Sequence, residues 1–362
     1  MISNMMMNKG GIFAIVISMA CSMQAAILVV DQDPSNQAAD YEQLQPAIDA
    51  AQDGDTIYVM PSASNYEAAT VNKSLTLIGS GTHKSDAFPS LASLPTIMDQ
   101  IIVNANDVFL TGFDFHEQVR VLAPSQNVTI FRCYFNNWSA NGELEAFAVK
   151  SPEVATKVTN LHVINNRFTA NSSSDSQVDL FESTLDSEGI LTEMVGFVFA
   201  NNIIWGGDFS FPNGEGEIFN NYFDMSEFWF YEDTSSDGRL RARGNFYNNI
   251  VWSGAYREGS LGRRNNAYFS SNAFAHSSNF KIGSRESVMV WSGTASERYV
   301  LTDDSALKGA GMNGEDIGIY GGLHAWNPNY QPPIPIITKL QAPRIVGAGE
   351  TLSLQIEVQP NN

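Results

Sequence analysis

Six segments of this chain share one pattern, in which a short apolar strand meets a small polar pair and leaves into a second apolar stretch. They are Ile130–Phe135, Val163–Phe168, Phe199–Ile204, Ile218–Phe223, Phe246–Val251 and Phe269–Phe274, and four of them carry Asn-Asn at the centre. Self-similarity at intervals of about 19 to 36 residues marks a repeat architecture, in which each unit buries its apolar face against the next. Asn enters the left-handed backbone region readily, so an Asn pair can bend a strand sharply without glycine. Stacked in register, the amides can hydrogen-bond up the column as a ladder. The flanks are β-branched or aromatic, which favours strands over helices. The expected fold is therefore all-β, a single-stranded right-handed parallel β-helix of about ten coils.

Composition fits one continuous stack. The chain has 362 residues, of which 16% are charged and 11% are Phe, Tyr or Trp, so there is ample material for a layered core. A net charge of −19 argues against a nucleic-acid partner, whose phosphates need a basic surface. An acidic polysaccharide would need a local basic site.

The ends have their own signatures. Lys9, the apolar run from Gly11 to Met19 and the small residues through Ala25 have the pattern of a secretory signal peptide over residues 1–25. The run is too short for a transmembrane span. Cys21 offers a lipoprotein alternative that Ser18-Met19-Ala20 supports poorly. Leu44, Ile48 and Ala51 share one helical face, with Pro46 in the first turn and Gly54 beyond the end, so a helix is predicted to cap the stack. The stack itself is expected over residues 27–332, and residues 333–362 read as a C-terminal β-hairpin or the stub of a further module. Asp55, Tyr66 and Cys133 are read as structural, the last as a small, partly buried turn residue.

The Asn turn between the second and third strands of each coil resembles that of the pectin-lyase-like superfamily. The opening run Gly54–Val59 and the closing segment Gly309–Gly322 resemble those of secreted bacterial β-helix proteins. The resemblance covers about residues 27 to 325, and it implies the fold more strongly than any activity. Proteins of this kind commonly work on the outward face of the first strands. Alternation in those strands aligns Arg120, Ala148, Asp179, Ser210, Trp229 and Arg257 as one outward column, with Asp208 and Glu227 one step before it and Lys150, Phe181 and Tyr231 one step after.

In lyases resembling this fold, an Arg, Lys or Tyr takes a proton beside a uronate while a bound cation neutralises the sugar acid. The resemblance makes Lys150, Tyr231 and Arg257 candidate catalytic bases, and Asp179, Asp208 and Glu227 candidate calcium ligands. The same three carboxylates would serve a glycoside hydrolase. Arg120 and Trp229 are candidate substrate contacts, since aromatic faces stack on sugars and guanidinium groups bind acids. Arg239, Arg241 and Arg243 alternate with Leu240 and Ala242 and form a basic ridge suited to an anionic glycan. No His or Cys spacing suggests a metal centre. The expectation is a secreted or cell-surface monomer that binds or processes extracellular polysaccharide, as a lyase if it is an enzyme. A non-catalytic adhesin or matrix solenoid is the competing class, because the fold alone does not fix function.

Overall fold

The computed structural model describes residues 25–33, 36, 38–81, 95–136, 147–150, 157–169, 193–206, 208–210, 214–229, 242–257, 262–269, 277–294, 297–327, 336–341 and 355–359. Nearly all regular structure here is β, in long parallel sheets compatible with a parallel β-helix. Among the described residues, 11 strands form the sheet preceding the Asn turns, 10 form the sheet following them, and 4 form a third sheet; we call these sheets I, II and III. The chain visits them in turn. Ile101–Val103 lies in sheet III, Phe109–Thr111 in sheet I and Phe113–Phe115 in sheet II, and the next pass repeats the order with Val119–Leu122, Thr129–Phe131 and Tyr134–Asn136. Each pass pairs with its neighbours in parallel register, as where Thr129 sits between Phe109 and His162.

Inward residues make a continuous stack. Phe135 lies between Phe115 and Phe168 at ring distances of 5.2 and 4.5 Å, and Phe168, Phe199, Phe223 and Phe246 continue the series at 5.8, 6.3 and 5.6 Å. These rings are essentially solvent-free, and their burial supplies the main apolar driving force for stacking one pass on the next.

At the turns, the two members of each Asn pair have different jobs. The first adopts the left-handed conformation, with φ of 58°, 53°, 56°, 55° and 55° at Asn165, Asn201, Asn220, Asn248 and Asn265. The second points inward and forms the ladder. Asn202 Oδ1 accepts from Asn166 N at 2.8 Å and from its Nδ2 at 3.2 Å, and Asn221, Asn249 and Asn266 repeat both bonds toward the preceding member. Cys133 N begins the series on Asn166 Oδ1, and Asn266 N ends it on Asn279 Oδ1. Arg132 takes the left-handed position before Cys133.

The ladder holds a copy that the sequence pattern did not include. Asn266 N donates to Asn279 Oδ1, and Ala267 pairs with Phe280. The copy that belongs in the series is Arg263–Tyr268, whose entry strand shows Arg263 and Arg264 in place of apolar flanks. Residues 270–276 lie outside the described set.

The N-terminal cap is as expected. A helix over Leu44–Ala50 buries Leu44, Ala47 and Ile48, and Lys73 Nζ donates to the carbonyls of Ile48, Asp49 and Ala51 at 2.9, 2.7 and 2.7 Å. A cation on the last carbonyls both satisfies them and complements the helix dipole. Lys73→Met is therefore expected to lower unfolding free energy by about 1–2 kcal/mol, read by urea titration against wild type. Tyr66 is solvent-free with its hydroxyl donating to Met60 O, and Asp55 accepts from Ala26 N and Gln52 N, so both are structural.

Residues 282–326 contribute to a second apolar layer on the outer face of sheet II. Ile282, Val288, Met289, Tyr299, Leu301, Leu307, Ile317, Ile319 and Trp326 pack there with Ile203, Tyr222, Ile250 and Ala267. The segment expected to close the stack then runs back along the column of first asparagines. Asn265 Nδ2 donates to Ala310 O, Asn248 Oδ1 accepts from Met312 N, Asn201 Nδ2 donates to Ile319 O and Gly321 O, and Asn165 Nδ2 donates to His324 O, all within 3.0 Å. Glycine is required for so close an approach: a Cβ on Gly321 would stand 1.9 Å from Asp316 O and 2.5 Å from Asn220 Nδ2. Beyond it, Ile336–Gln341 and Gln355–Gln359 pair antiparallel as the expected hairpin.

Candidate functional site

Backbone pairing follows the column expected for the first strands. Ala148 pairs with Arg120 and Lys150 with Leu122 in sheet III. Asp208 pairs with Glu227, and Ser210 with Trp229, which pairs in turn with Arg257. The last three strands join sheet II rather than sheet III, because Tyr222–Trp229 and Ile250–Arg257 run on through the corner as long strands. Arg243 pairs with Glu215 in sheet I, on a different sheet from Trp229 and Arg257. For Lys150, Asp208, Glu227, Trp229, Arg243 and Arg257 the placement is that of the backbone. Asp179, Tyr231, Arg239 and Arg241 lie outside the described residues, as do residues 1–24, which hold nearly all of the signal-peptide pattern including Cys21.

Arg120 is half-buried on its strand. Asp208 and Glu227 occupy neighbouring strand positions. Cys133 is buried, and desolvation pushes its thiol up to about 12, so it is a structural residue and no nucleophile at neutral pH. Glu315 and Asp316 serve the tail: Asn248 Nδ2 donates to Glu315 Oε2 at 3.3 Å and Gly309 N to Asp316 Oδ1 at 2.8 Å.

The richest chemistry among described side chains sits elsewhere, on the outer face of sheet II. There Asp114, Tyr134 and Arg167 occupy the same strand position on three successive passes, with His116 and Thr169 two residues further on. The next position in the series is Ile203, where the C-terminal layer begins. Asp114 is 6% exposed, and its Oδ1 has no hydrogen-bond partner. His116 Nε2 is 3.9 Å from that oxygen, while Asn65 Nδ2 lies 3.5 Å from His116 Nδ1 and donates to Asp99 Oδ1 at 2.8 Å. Burial raises the Asp114 carboxyl to about 7 and lowers the His116 imidazole below its ordinary range, the latter partly offset by Asp99. Near neutral pH the His116 imidazole is therefore held toward its uncharged form, while the Asp114 carboxyl is close to the midpoint of its ionisation.

Arg167 extends over the Tyr134 ring, with its guanidinium carbon 5.3 Å from the centroid. Its Nε, like Thr169 Oγ1, is buried without a hydrogen-bond partner. The patch thus combines a weakly acidic carboxyl, an imidazole, a phenol and a guanidinium on one strand face. Reading Phe113-Asp114-Phe115 as simple alternation makes Asp114 an ordinary outward residue. Aligning the residue directly after each turn pair, Tyr134, Arg167 and Ile203, is the sequence signal that finds the patch.

Further along that face, Arg285 lies between two indoles, 4.2 Å from the Trp252 centroid and 4.0 Å from that of Trp291, and pairs with Asp224. Ser253 Oγ donates to Asp224 Oδ1 at 2.6 Å and Trp205 stacks on Trp291 at 5.7 Å. With its guanidinium held on both faces and its charge matched, Arg285 fixes the C-terminal layer to sheet II and is a structural clamp. No helix among the described residues is long and apolar enough to cross a membrane. No protein-family model matches the chain, and no curated protein matches it.

Proposed function

We propose that the chain is a right-handed parallel β-helix of the secreted bacterial type, similar to the pectin-lyase-like superfamily, that binds extracellular polysaccharide along an outward strand face. The observation that carries this reading is the register that sets Ser210, Trp229 and Arg257 side by side, with Asp208 beside Glu227 two residues earlier. Successive strands about 4.8 Å apart offer a linear glycan a regular row of contacts. A Trp and an Arg on that row suit stacking on a sugar ring and pairing with a sugar acid, so a uronate-containing chain is the preferred ligand despite the overall charge of −19. Catalysis by β-elimination, with Lys150, Tyr231 or Arg257 as base, is the enzymatic form of the reading.

Affinity electrophoresis of the full chain in gels containing a uronate polysaccharide tests the binding. Retardation is expected, with at least a tenfold weaker interaction in Trp229→Ala/Arg257→Gln; no retardation by any of a panel of acidic and neutral polysaccharides would sink the proposal. Incubation with the same panel tests the chemistry. A rise in absorbance at about 235 nm reports the unsaturated product of proton abstraction beside the uronate. Binding with neither that rise nor new reducing ends assigns the chain to the non-catalytic, adhesin-like class.

A further inference from the structure

We propose that the end of the C-terminal segment is a pH-sensitive latch, docked on the Asn165-Asn166 turn at neutral pH and released on acidification by charge on His162 and His324. Neither residue belongs to the polysaccharide face described above, and the device acts without a ligand.

One tether brings the two imidazoles together. His162 lies on the strand that leads into the turn, between the buried residues Leu161 and Val163, so alternation places its ring on the outer face of sheet I. At the end of that strand Asn165 Nδ2 donates to His324 O at 2.9 Å, which sets the C-terminal segment down beside it. The two histidines are near enough for the charge of one to act on the other. Leu323 is 89% exposed and adds little packing. The segment is held here by Asn165 at His324 O and by Trp326 N donating to Ile319 O at 2.8 Å, so its end is a place where opening can stay local.

Protonating this pair is unfavourable while the segment is docked. Burial lowers both imidazoles below their ordinary range, and His324 lowers His162 further. The fixed charges next in the chain at this corner are cations as well. Arg132 takes the turn position of the preceding pass, where its N donates to Ile164 O, and Arg167 follows Asn166 directly. In the row of His162 on sheet I the neighbours are Thr129 and Val198. The first acid in that row beyond Val198 is Glu217, two strands on, where Asn245 and Tyr247 donate to its oxygens. Glu315 and Asp316, on the C-terminal segment itself, accept from Asn248 and Gly309. Docking therefore favours neutral imidazoles. Its stability is full above about pH 6.5 and is lost as pH falls below that value, because the released segment takes up protons more readily. Release bares Asn165, Asn201 and Trp326, all buried in the docked form, so a polar and aromatic surface is displayed only in acid.

Amide hydrogen exchange of the full chain at about pH 7.5 and about pH 5 tests the latch. Trp326 N reports on the docked end, and Asn202 N, bonded to Asn221 Oδ1 inside the ladder, reports on opening of the whole stack. On acidification the protection factor of Trp326 N is expected to fall by about tenfold or more, while that of Asn202 N does not fall. His162→Gln/His324→Gln keeps the backbone carbonyl that Asn165 holds and removes both titrating rings, so in that variant the protection of Trp326 N should agree at the two pH values to within about twofold. No fall at Trp326 N in the wild type would overturn the latch, and so would an equal fall in the double variant. A fall at Asn202 N as large as that at Trp326 N would assign the effect to the whole stack and overturn it likewise. The wild-type comparison of these two amides decides the point even if the variant folds poorly.

Discussion

Replacing Asn221 by leucine is expected to lower the unfolding free energy by about 4 kcal/mol, enough to unfold a marginally stable chain. Asn221 is solvent-free and sits mid-ladder. Its Oδ1 accepts from Asn202 N and Nδ2, and its Nδ2 donates to Phe199 O, Phe219 O and Asn249 Oδ1 at 2.9 Å each. Leucine fills a similar volume but satisfies none of these groups. Asn202 N and Nδ2 lose an acceptor in a dry interior, and each buried group left unsatisfied costs about 1–3 kcal/mol. Asn202 Nδ2 keeps its bond to Val163 O, which limits the loss. Asn265→Ala, on the outer column, should cost about 1 kcal/mol, because it removes one bond to the tail at Ala310. Equilibrium denaturation of the two variants separates the columns; equal losses would show that the ladder has no special weight.

That contrast also explains what could be read from the sequence. The ladder and the strand order were legible because both rest on local pattern: Asn pairs at the turns and apolar alternation between them. Arg263 and Arg264 hid the Asn265-Asn266 turn, since an exposed terminal strand needs no apolar outer flank. The tail was recognisable as a closing segment, yet its path was not. Asn165 holds His324 and Asn201 holds Gly321 across 159 and 120 residues of chain, and no local rule links such partners. The apolar residues at the start of sheet II strands, Ile203, Tyr222 and Ile250, had a covering layer to match that only folding reveals.

The sites divide along the same line. The pairing of Ser210, Trp229 and Arg257 follows from strand register alone and was predictable. The state of Asp114 depends on burial by residues from several passes, which a single strand does not encode. Its neighbours matter more than its own segment. The basic residue Arg243, grouped in sequence with Arg239 and Arg241, falls on sheet I beside Glu215.

Stability should fall as pH rises from about 4 to about 7 and level off above, and Asp114→Asn should abolish most of that slope. The sign follows from the direction of the shift. Burial raises the folded-state carboxyl to about 7, whereas the unfolded chain releases its proton near the ordinary value of about 4. Between those limits the folded state holds a proton that the unfolded state has lost, so raising pH favours unfolding until Asp114 ionises in both. About three units of displacement correspond to about 2–4 kcal/mol after allowance for relaxation around the charge. Asparagine keeps the shape and carries no charge, and it should therefore stabilise the protein by that amount at pH 8 and hardly at all at pH 4. His116 works with the opposite sign within the same range: its imidazole is lowered, so its contribution is present above the ordinary histidine range and is lost as pH falls below it. Urea midpoints measured from about pH 4 to about pH 8 in wild type and Asp114→Asn separate the two, because only the loss of stability on raising the pH should disappear in the variant. An unchanged loss in that variant would mean that Asp114 is ionised in the folded state at neutral pH.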